Sequence, residues 1–351
     1  PCEASAARPP QAHLARARRS IPAWFPAMRT VRMFAHDVLA PAGSDAVAIA
    51  RLWDFFLLVS LVVYGLVIAA LLLSIRRART GSVANEQLQA AADRRSRRAV
   101  GIALGATGII LAGMLTTELV LGRAVLDESQ PEGEPVRIRL TAQQFWWEVE
   151  YEAATPGERL RTANELVVPV GRPVELRLHS NDVIHSFWLP SLAGKRDLIP
   201  GLERRIRFRV DAAGQYEGQC AEFCGYQHAN MRLILTALQE EAFNAWMAHQ
   251  RQPAAPPASS QLQRGQWVFE RSSCALCHAV RGTAAQASVG PDLTHFASRR
   301  RIAASAVRNE PQALATWINN PQRLKPGTRM PATDLDAGDL QALVAWLGSL
   351  Q

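Results

Sequence analysis

Two apolar blocks interrupt an otherwise mixed chain. Phe55 to Ile75 runs 21 residues, and Ala99 to Thr117 runs 19, without a charge. At 1.5 Å of rise per helical residue each covers roughly the ~30 Å hydrocarbon core of a bilayer, so both predict transmembrane helices. Runs this long without a charge are foreign to soluble cores. Gly101, Gly105, Gly108 and Gly113 weaken the second helix in water but allow close packing in lipid. After Pro131 the period changes to two. Residues 136–140, 174–179 and 206–210 alternate apolar and polar side chains, the pattern of half-buried strands. Turn signals separate them: Thr155-Pro156-Gly157, Gly171-Arg172-Pro173, Pro200-Gly201 and Ala213-Gly214. Short strands at this spacing predict an antiparallel β-sandwich within residues 131–250, closed by a helix near 240–250. Residues 251–261 (RQPAAPPASSQ) predict an extended, solvated linker. Beyond it, 262–273 and 339–350 predict the opening and closing helices of an all-α domain over 262–351. Leu340, Leu343, Val344 and Leu347 share one face of the closing helix.

The fold class expected is therefore a multi-domain membrane protein: an N-terminal tail (1–50), a two-helix transmembrane hairpin (51–122), a β-sandwich and an all-α domain. At 48% hydrophobic and 20% charged residues, a disordered or collagen-like chain is excluded. Charge sets the sidedness. Residues 76–98, between the two blocks, hold seven Arg against one Glu and one Asp, and so short and Arg-dense a loop stays in the cytoplasm. Everything after about Thr117 then lies outside, in an oxidising compartment. The tail also carries Arg8, Arg16, Arg18, Arg19, Arg29 and Arg32, with Arg51 just beyond it, and shows no apolar core of a signal peptide. Cleavage of much of it is the expectation. Lys and Arg total 39 against 31 Asp and Glu, and only Lys195 and Lys325 are lysines. No basic motif interleaved with aromatics appears, so nucleic acid is not an expected partner.

The chemistry of the sandwich lies in CAEFCGYQHANM, Cys220 to Met231. Two thiols four residues apart, then His228 and Met231, put soft ligands in one loop, a set that favours copper. One Cys would suit a mononuclear blue-copper loop. Two bridging thiolates can hold two copper ions side by side, each completed by one His. The upstream His should stand at a strand end, and His185 in DVIHSFW does. A Cys220–Cys224 disulfide is the alternative in an exported protein.

In the last domain Cys274-Ala275-Leu276-Cys277-His278 is the C-x-x-C-H signature of c-type haem attachment. Both thiols meet the two vinyl groups and the next imidazole meets the iron. For the sixth ligand, Met330 is the only Met after Met247, and it stands beside Pro331 in a proline-bearing loop. His295 is the rival. His/Met ligation raises the iron potential relative to a second His. Arg299, Arg300 and Arg301 predict a solvated basic face rather than a docking site.

On QFWWEVEY (144–151), DVIHSFWLPSLAGKRDLIPG (182–201) and CAEFCGYQHANM, residues 45–250 resemble subunit II of the haem–copper cytochrome c oxidases. With the C-terminal domain included, the chain resembles the subclass whose subunit II carries a fused class I cytochrome c. The resemblance implies a cupredoxin-like sandwich with a binuclear CuA centre. Cys220 and Cys224 would bridge the coppers, His185 and His228 would be terminal ligands, Met231 would bind one copper and the Glu222 carbonyl the other. The Glu222 side chain would reach a magnesium ion at the boundary with subunit I. Gly290-Pro291-Asp292 resembles the cytochrome c turn whose carbonyl orients the proximal His. Haem c, held by Cys274, Cys277, His278 and Met330, would take electrons from a bc1-type complex or soluble cytochrome c. They would pass through CuA to haem a and CuB in subunit I, where oxygen is reduced and protons are pumped. Subunit III and lipid complete the expected partners, in a bacterial plasma membrane with the CuA and cytochrome c domains on the periplasmic side. Catalysis then lies on another subunit. A membrane-anchored electron shuttle and a CuA-bearing nitric oxide reductase are the alternatives.

Two departures stand out. Where the family has a Trp that takes electrons from soluble cytochrome c, this chain has Phe145, followed by Trp146 and Trp147. A haem tethered by a linker has a high effective concentration, which makes that Trp dispensable. The second helix also lacks the family's opening Glu and Trp-Thr-x-x-Pro run, so no proton-uptake residue is assigned there.

Overall fold

A computed structural model describes residues 33–34, 38–80, 86–126, 133–153 and 159–351. The expected processing of the tail and the Thr155-Pro156-Gly157 turn lie outside the described residues. Helices α1 (Ser44–Thr80) and α2 (Glu86–Leu126) contain both apolar blocks. Their most apolar windows reach mean hydropathies of 2.9 and 2.0, and no part of either is buried within the chain. Such surfaces need lipid. Four hydroxyls within the blocks, those of Ser74, Thr107, Thr116 and Thr117, are satisfied inside the helices: Ser74 donates to Ala70 O at 2.8 Å and Thr107 to Ala103 O at 2.9 Å. The tail is not separate from the fold as far as it is described. β1 (Met33–Phe34) joins the sandwich, Ala42 N donates to Ser191 O at 2.7 Å, and α1 begins before residue 51.

The sandwich comprises β2 (Val136–Gln143), β3 (Trp146–Tyr151), β4 (Leu160–Ala163), β5 (Glu165–Pro169), β6 (Pro173–Ser180), β7 (His185–Trp188), β8 (Arg196–Leu198), β9 (Arg204–Arg209), β10 (Gly214–Cys220) and β11 (Arg232–Leu238). One sheet runs β4-β3-β2-β6-β9 and the other β5-β11-β10-β7-β8, with β1 on β10. The three alternating segments are thus neighbours, β2-β6-β9. Ile138 lies opposite Leu176, which lies opposite Ile206. Their inward set, including Ile138, Leu140, Leu176 and Leu178, is fully buried, each side chain contributing about 1.5–3 kcal/mol. Arg137 and Arg139 point out to solvent. The sandwich is mixed rather than wholly antiparallel: β2–β6, β5–β11 and β1–β10 are parallel. The chain visits other strands between the members of each parallel pair, a connection that no tight hairpin supplies. α3 (Glu240–Gln250) follows, and its Trp246 ring meets Tyr151 edge-on at 5.4 Å.

The segment expected as a solvated linker is partly docked. Ala254 N donates to Arg281 O at 2.9 Å, and Gln252 O lies 3.1 Å from His295 Nε2. The C-terminal domain packs α4 (Ser260–Arg271) across α6 (Ala337–Leu347), with α5 (Pro311–Asn319) against α6. Two-residue strands β12 (Arg301–Ile302) and β13 (Val307–Arg308) form a hairpin between them. The helices touch at Gly265, where a β-carbon would collide with Ala342 O and Trp346 Cβ. Ser259 and Asp336 cap α4 and α6, accepting from Leu262 N and Asp339 N. The buried face of α6 includes Ala342 and Trp346 beside the expected Leu343 and Leu347, with Leu340 and Val344 partly buried at its edge.

Candidate metal centres and the contact between them

β10 ends at Cys220 and β11 starts at Arg232, so the soft-ligand loop spans one end of their antiparallel pair. β7 lies on the other side of β10, with Phe187 opposite Cys220, and this register brings His185 beside the loop. Cys220 Sγ lies 3.8 Å from Cys224 Sγ and 3.8 Å from His185 Nδ1. Cys224 Sγ lies 3.7 Å from His228 Nδ1 and 3.9 Å from Met231 Sδ, and Glu222 O is 3.2 Å from Cys220 Sγ. Both thiols are free and buried. Metal–sulfur bonds are about 2.3 Å long, so sulfurs at this spacing can share a pair of ions. The ligand atoms of His185, Cys220 and Cys224 all fall within 4.8 Å of one another.

The electrostatics favour a cation. Hydrogen bonds from Cys224 and His185 outweigh burial and pull Cys220 down to about 4, while sharing its proton with that thiolate pushes Cys224 far up. A bound cation would replace the shared proton. Burial would lower His185, but its bonds to Cys220 and Asp182 outweigh it and raise the imidazole. Asp182 Oδ1 lies 2.9 Å from His185 Nε2, which aims Nδ1 at Cys220. The N–H of Gln144 reaches Asp182 Oδ2 at 2.7 Å, and such bonds outweigh burial to keep this carboxyl below its ordinary range.

In the C-terminal domain a cavity of about 240 Å³ is lined by Cys274, Cys277, His278 and Met330. Its walls are mostly apolar, among them Phe269, Leu293, Trp317 and Leu343. The two thiols, the imidazole and the thioether in an apolar slot fit a covalently attached haem. His278 Nδ1 donates to Pro291 O at 2.8 Å, and burial lowers its pKa, so the ring is neutral with Nε2 left for iron. Gly290 is required there: a β-carbon would stand 2.7 Å from His278 Cε1. His295, the rival sixth ligand, is not among the residues that line this cavity, and its ring faces backbone carbonyls instead, with Nδ1 2.6 Å from Gln351 O and Nε2 3.1 Å from Gln252 O. It ties the C-terminus to residue 252.

The cavity is not confined to its own domain. Gln144, Phe145 and Trp146 of the sandwich also line it. Phe145 is buried, and its ring packs on Gly225 of the soft-ligand loop, where a β-carbon would come within 3.3 Å of Phe145 Cε1. Trp147 is fully buried on the far side, its ring 6.2 Å from that of His185. The Arg299–Arg301 segment, expected as a solvated face, is instead a contact between domains. Arg299 reaches Thr162 Oγ1 at 3.4 Å and Arg300 Nη1 reaches Gln215 Oε1 at 2.8 Å. Four residues that the sequence reading gave no role also bind here: Asp182, Gln227, Lys325 and Arg329. Of these only Lys325 carried a signal, as one of two lysines in an Arg-rich chain.

A family model described as cytochrome c oxidase subunit II, periplasmic domain, matches residues 149–238, and one described as cytochrome c matches 262–351. Cytochrome c oxidase subunit 2 of Alkalihalophilus pseudofirmus is 37% identical over 248 residues, 69% of this chain and 70% of that protein. The protein of the same name from Bacillus sp. PS3 is 32% identical over 250 residues, covering 68% of each. The crystal structure of the periplasmic domain of subunit II of cytochrome oxidase (CoxB) of Bradyrhizobium japonicum is 27% identical, covers 34% of this chain and 96% of that one, and has a TM-score of 0.32. Relatives at this identity over more than two thirds of both proteins, with the two domain matches, place this chain in the cytochrome c oxidase subunit 2 family, in a form that carries a cytochrome c domain at its C-terminal part.

Proposed function

We propose a ligand set for each centre of this subunit II and an internal route between them. The chain belongs with subunit I of a haem–copper oxidase and relays single electrons to it, anchored in a membrane by α1 and α2 with its other domains outside. Bound here, the copper pair and the haem supply one-electron redox sites, and the residues hold them. Cys220, Cys224, His185, His228, Met231 and the Glu222 carbonyl would hold the coppers. Asp182 fixes the tautomer of His185. Cys274 and Cys277 would attach haem c, His278 and Met330 would ligate its iron, and Pro291 O orients His278.

Phe145 stands where the resemblance implies a Trp that takes electrons from soluble cytochrome c. Here it is covered by the fused domain and lies between the haem cavity and the soft-ligand loop. We assign Phe145, with Trp146 and Trp147 behind it, to the route between the two centres. Electrons would reach haem c from a bc1-type complex or a soluble cytochrome c. The half-buried Glu222 side chain, beside the exposed Phe223, suits a magnesium site at the subunit I boundary. Subunit III, lipid and a bacterial plasma membrane with the two domains on its periplasmic side complete the setting.

The observation that carries this reading is the five-ligand cluster of the Cys220–Met231 loop facing, across Phe145, a cavity that contains the C-x-x-C-H residues. Purification from membranes tests it. Co-isolation with a haem-bearing subunit I and with oxygen uptake driven by reduced cytochrome c is expected. Isolation of this chain alone, fully loaded and without oxygen uptake, would instead make it a shuttle.

A further inference from the structure

Among the described residues Lys325 is the one buried lysine, 2% exposed. Its Nζ donates to Phe145 O at 2.7 Å, Asn230 O at 2.9 Å and Ala303 O at 3.1 Å. An ammonium has three N–H donors and no acceptor, so three carbonyls satisfy it completely. A guanidinium, planar and longer, cannot fill this cage the same way. Two of the carbonyls belong to the sandwich and one to the cytochrome c domain. Phe145 O sits on the aromatic run between the centres. Asn230 O sits between His228 and Met231. Ala303 O comes from a tight turn in which Ala303, Ala304 and Ser305 all have positive φ (55°, 57° and 64°), and Ala304 O accepts from Arg232 N at 3.2 Å. Lys325 is itself five residues before Met330. The next residue is bound as well: Gln227 Nε2 donates to Pro326 O at 2.8 Å and Gln227 Oε1 accepts from Asn230 at 2.7 Å.

We propose that Lys325 is the positioning residue for electron transfer between haem c and the copper pair, clasping the Met330 loop onto Phe145 and the His228–Met231 segment. This rests on the relay reading above. In the step it serves, one electron leaves the haem iron, which is oxidised, and enters the copper pair, which is reduced; no bond changes and no proton moves. Tunnelling falls steeply with distance and with gaps in the packing between the centres, so a clasp that seats both ligand loops sets the rate.

The test uses the intact oxidase with Lys325→Met. Haem c is photoreduced in a flash and its electron is followed into copper by absorption. The expected result is a transfer rate at least about tenfold slower, since small misplacements of reacting groups carry costs of this order, with copper and haem content unchanged. Amide hydrogen exchange on the same variant supplies a second readout, with faster exchange at 143–147, 227–232 and 324–331 together. If Lys325→Met does not accumulate, Lys325→Gln is measured in the same way, and a smaller slowing is expected. A rate within about twofold of the unchanged protein in the variant that accumulates, with both centres loaded, overturns the proposal. An unchanged protein that lacks copper or haem c overturns the relay reading instead.

Discussion

Arg329 Nη2 lies 3.3 Å from Asp182 Oδ2, the carboxylate whose other oxygen lies 2.9 Å from His185 Nε2. The residue next to Met330 thus touches the group that orients a copper ligand in the other domain. Removing this cation leaves Asp182 more basic and the copper pair more electron-rich, so Arg329→Gln lowers the copper reduction potential. The Arg329 side chain is 65% exposed, which limits the effect to that of a surface pair, about 1 kcal/mol or less. For a one-electron couple that is about 40 mV at most. A redox titration of the copper absorption checks the sign, and a rise would contradict the placement of Asp182.

Gly290→Ala puts a methyl group 2.7 Å from His278 Cε1. The imidazole must move off Pro291 O, at an overpacking cost of about 1–3 kcal/mol. A partly high-spin haem is expected by electron paramagnetic resonance. Met330→Ala should change the same spectrum, whereas His295→Phe should leave it low-spin, because Met330 lines the haem cavity and His295 does not.

Truncation after residue 251 uncovers Phe145, now 5% exposed, and removes its Lys325 partner. The remaining chain should still bind copper, since every proposed copper ligand lies before residue 232. Stopped-flow mixing with reduced soluble cytochrome c should show slow copper reduction, because on the proposed route Phe145 takes electrons from the fused haem domain rather than from solution. Rapid reduction would show that the fused domain is not the required donor.

Glu175 offers a pH test remote from either centre. Burial would raise it, but Arg207, Arg205 and Arg177 outweigh burial and hold its carboxyl below the ordinary range. Arg207 Nε donates to it at 2.7 Å. A depressed carboxyl stabilises the folded state above the unfolded value of 4.5, and this stabilisation is lost as pH falls through the lower folded value. Glu175→Gln should cost about 1–3 kcal/mol at neutral pH, short of a fully buried pair because Arg207 reaches solvent. The gap in thermal midpoint between the two proteins should begin to narrow below pH 4.5 and close once pH has fallen through the lower folded value. A gap that persists there would contradict the ion-pair origin.

Periodicity made the strands and spans legible, because a run such as Val136–Leu140 has one buried face whatever its neighbours are. The parallel pairing of β2 with β6 was not legible, since it depends on how the chain crosses between sheets. In the copper loop four candidates, Cys220, Cys224, His228 and Met231, lie within twelve contiguous residues, so spacing carried them, while the Glu222 carbonyl came only from the resemblance. Where they reach the sandwich, Lys325 and Arg329 act across 95 to 185 residues of sequence, and no local pattern records the contact. The Arg299–Arg301 segment shows the same limit: its charge is visible in sequence, but its partners Thr162, Glu165 and Gln215 are placed only by docking of the domains. α5 had a readable start in Pro311, with Leu314 and Ile318 four apart, but too short a run to stand out.

The most direct measurement is the metal content of the purified full-length chain, read with its near-infrared absorption. Two coppers and one covalent haem per chain are expected, with the copper band abolished and the haem retained in Cys220→Ser. Haem without a copper pair, or a copper band that survives Cys220→Ser, would contradict a relay built on Cys220 and Cys224.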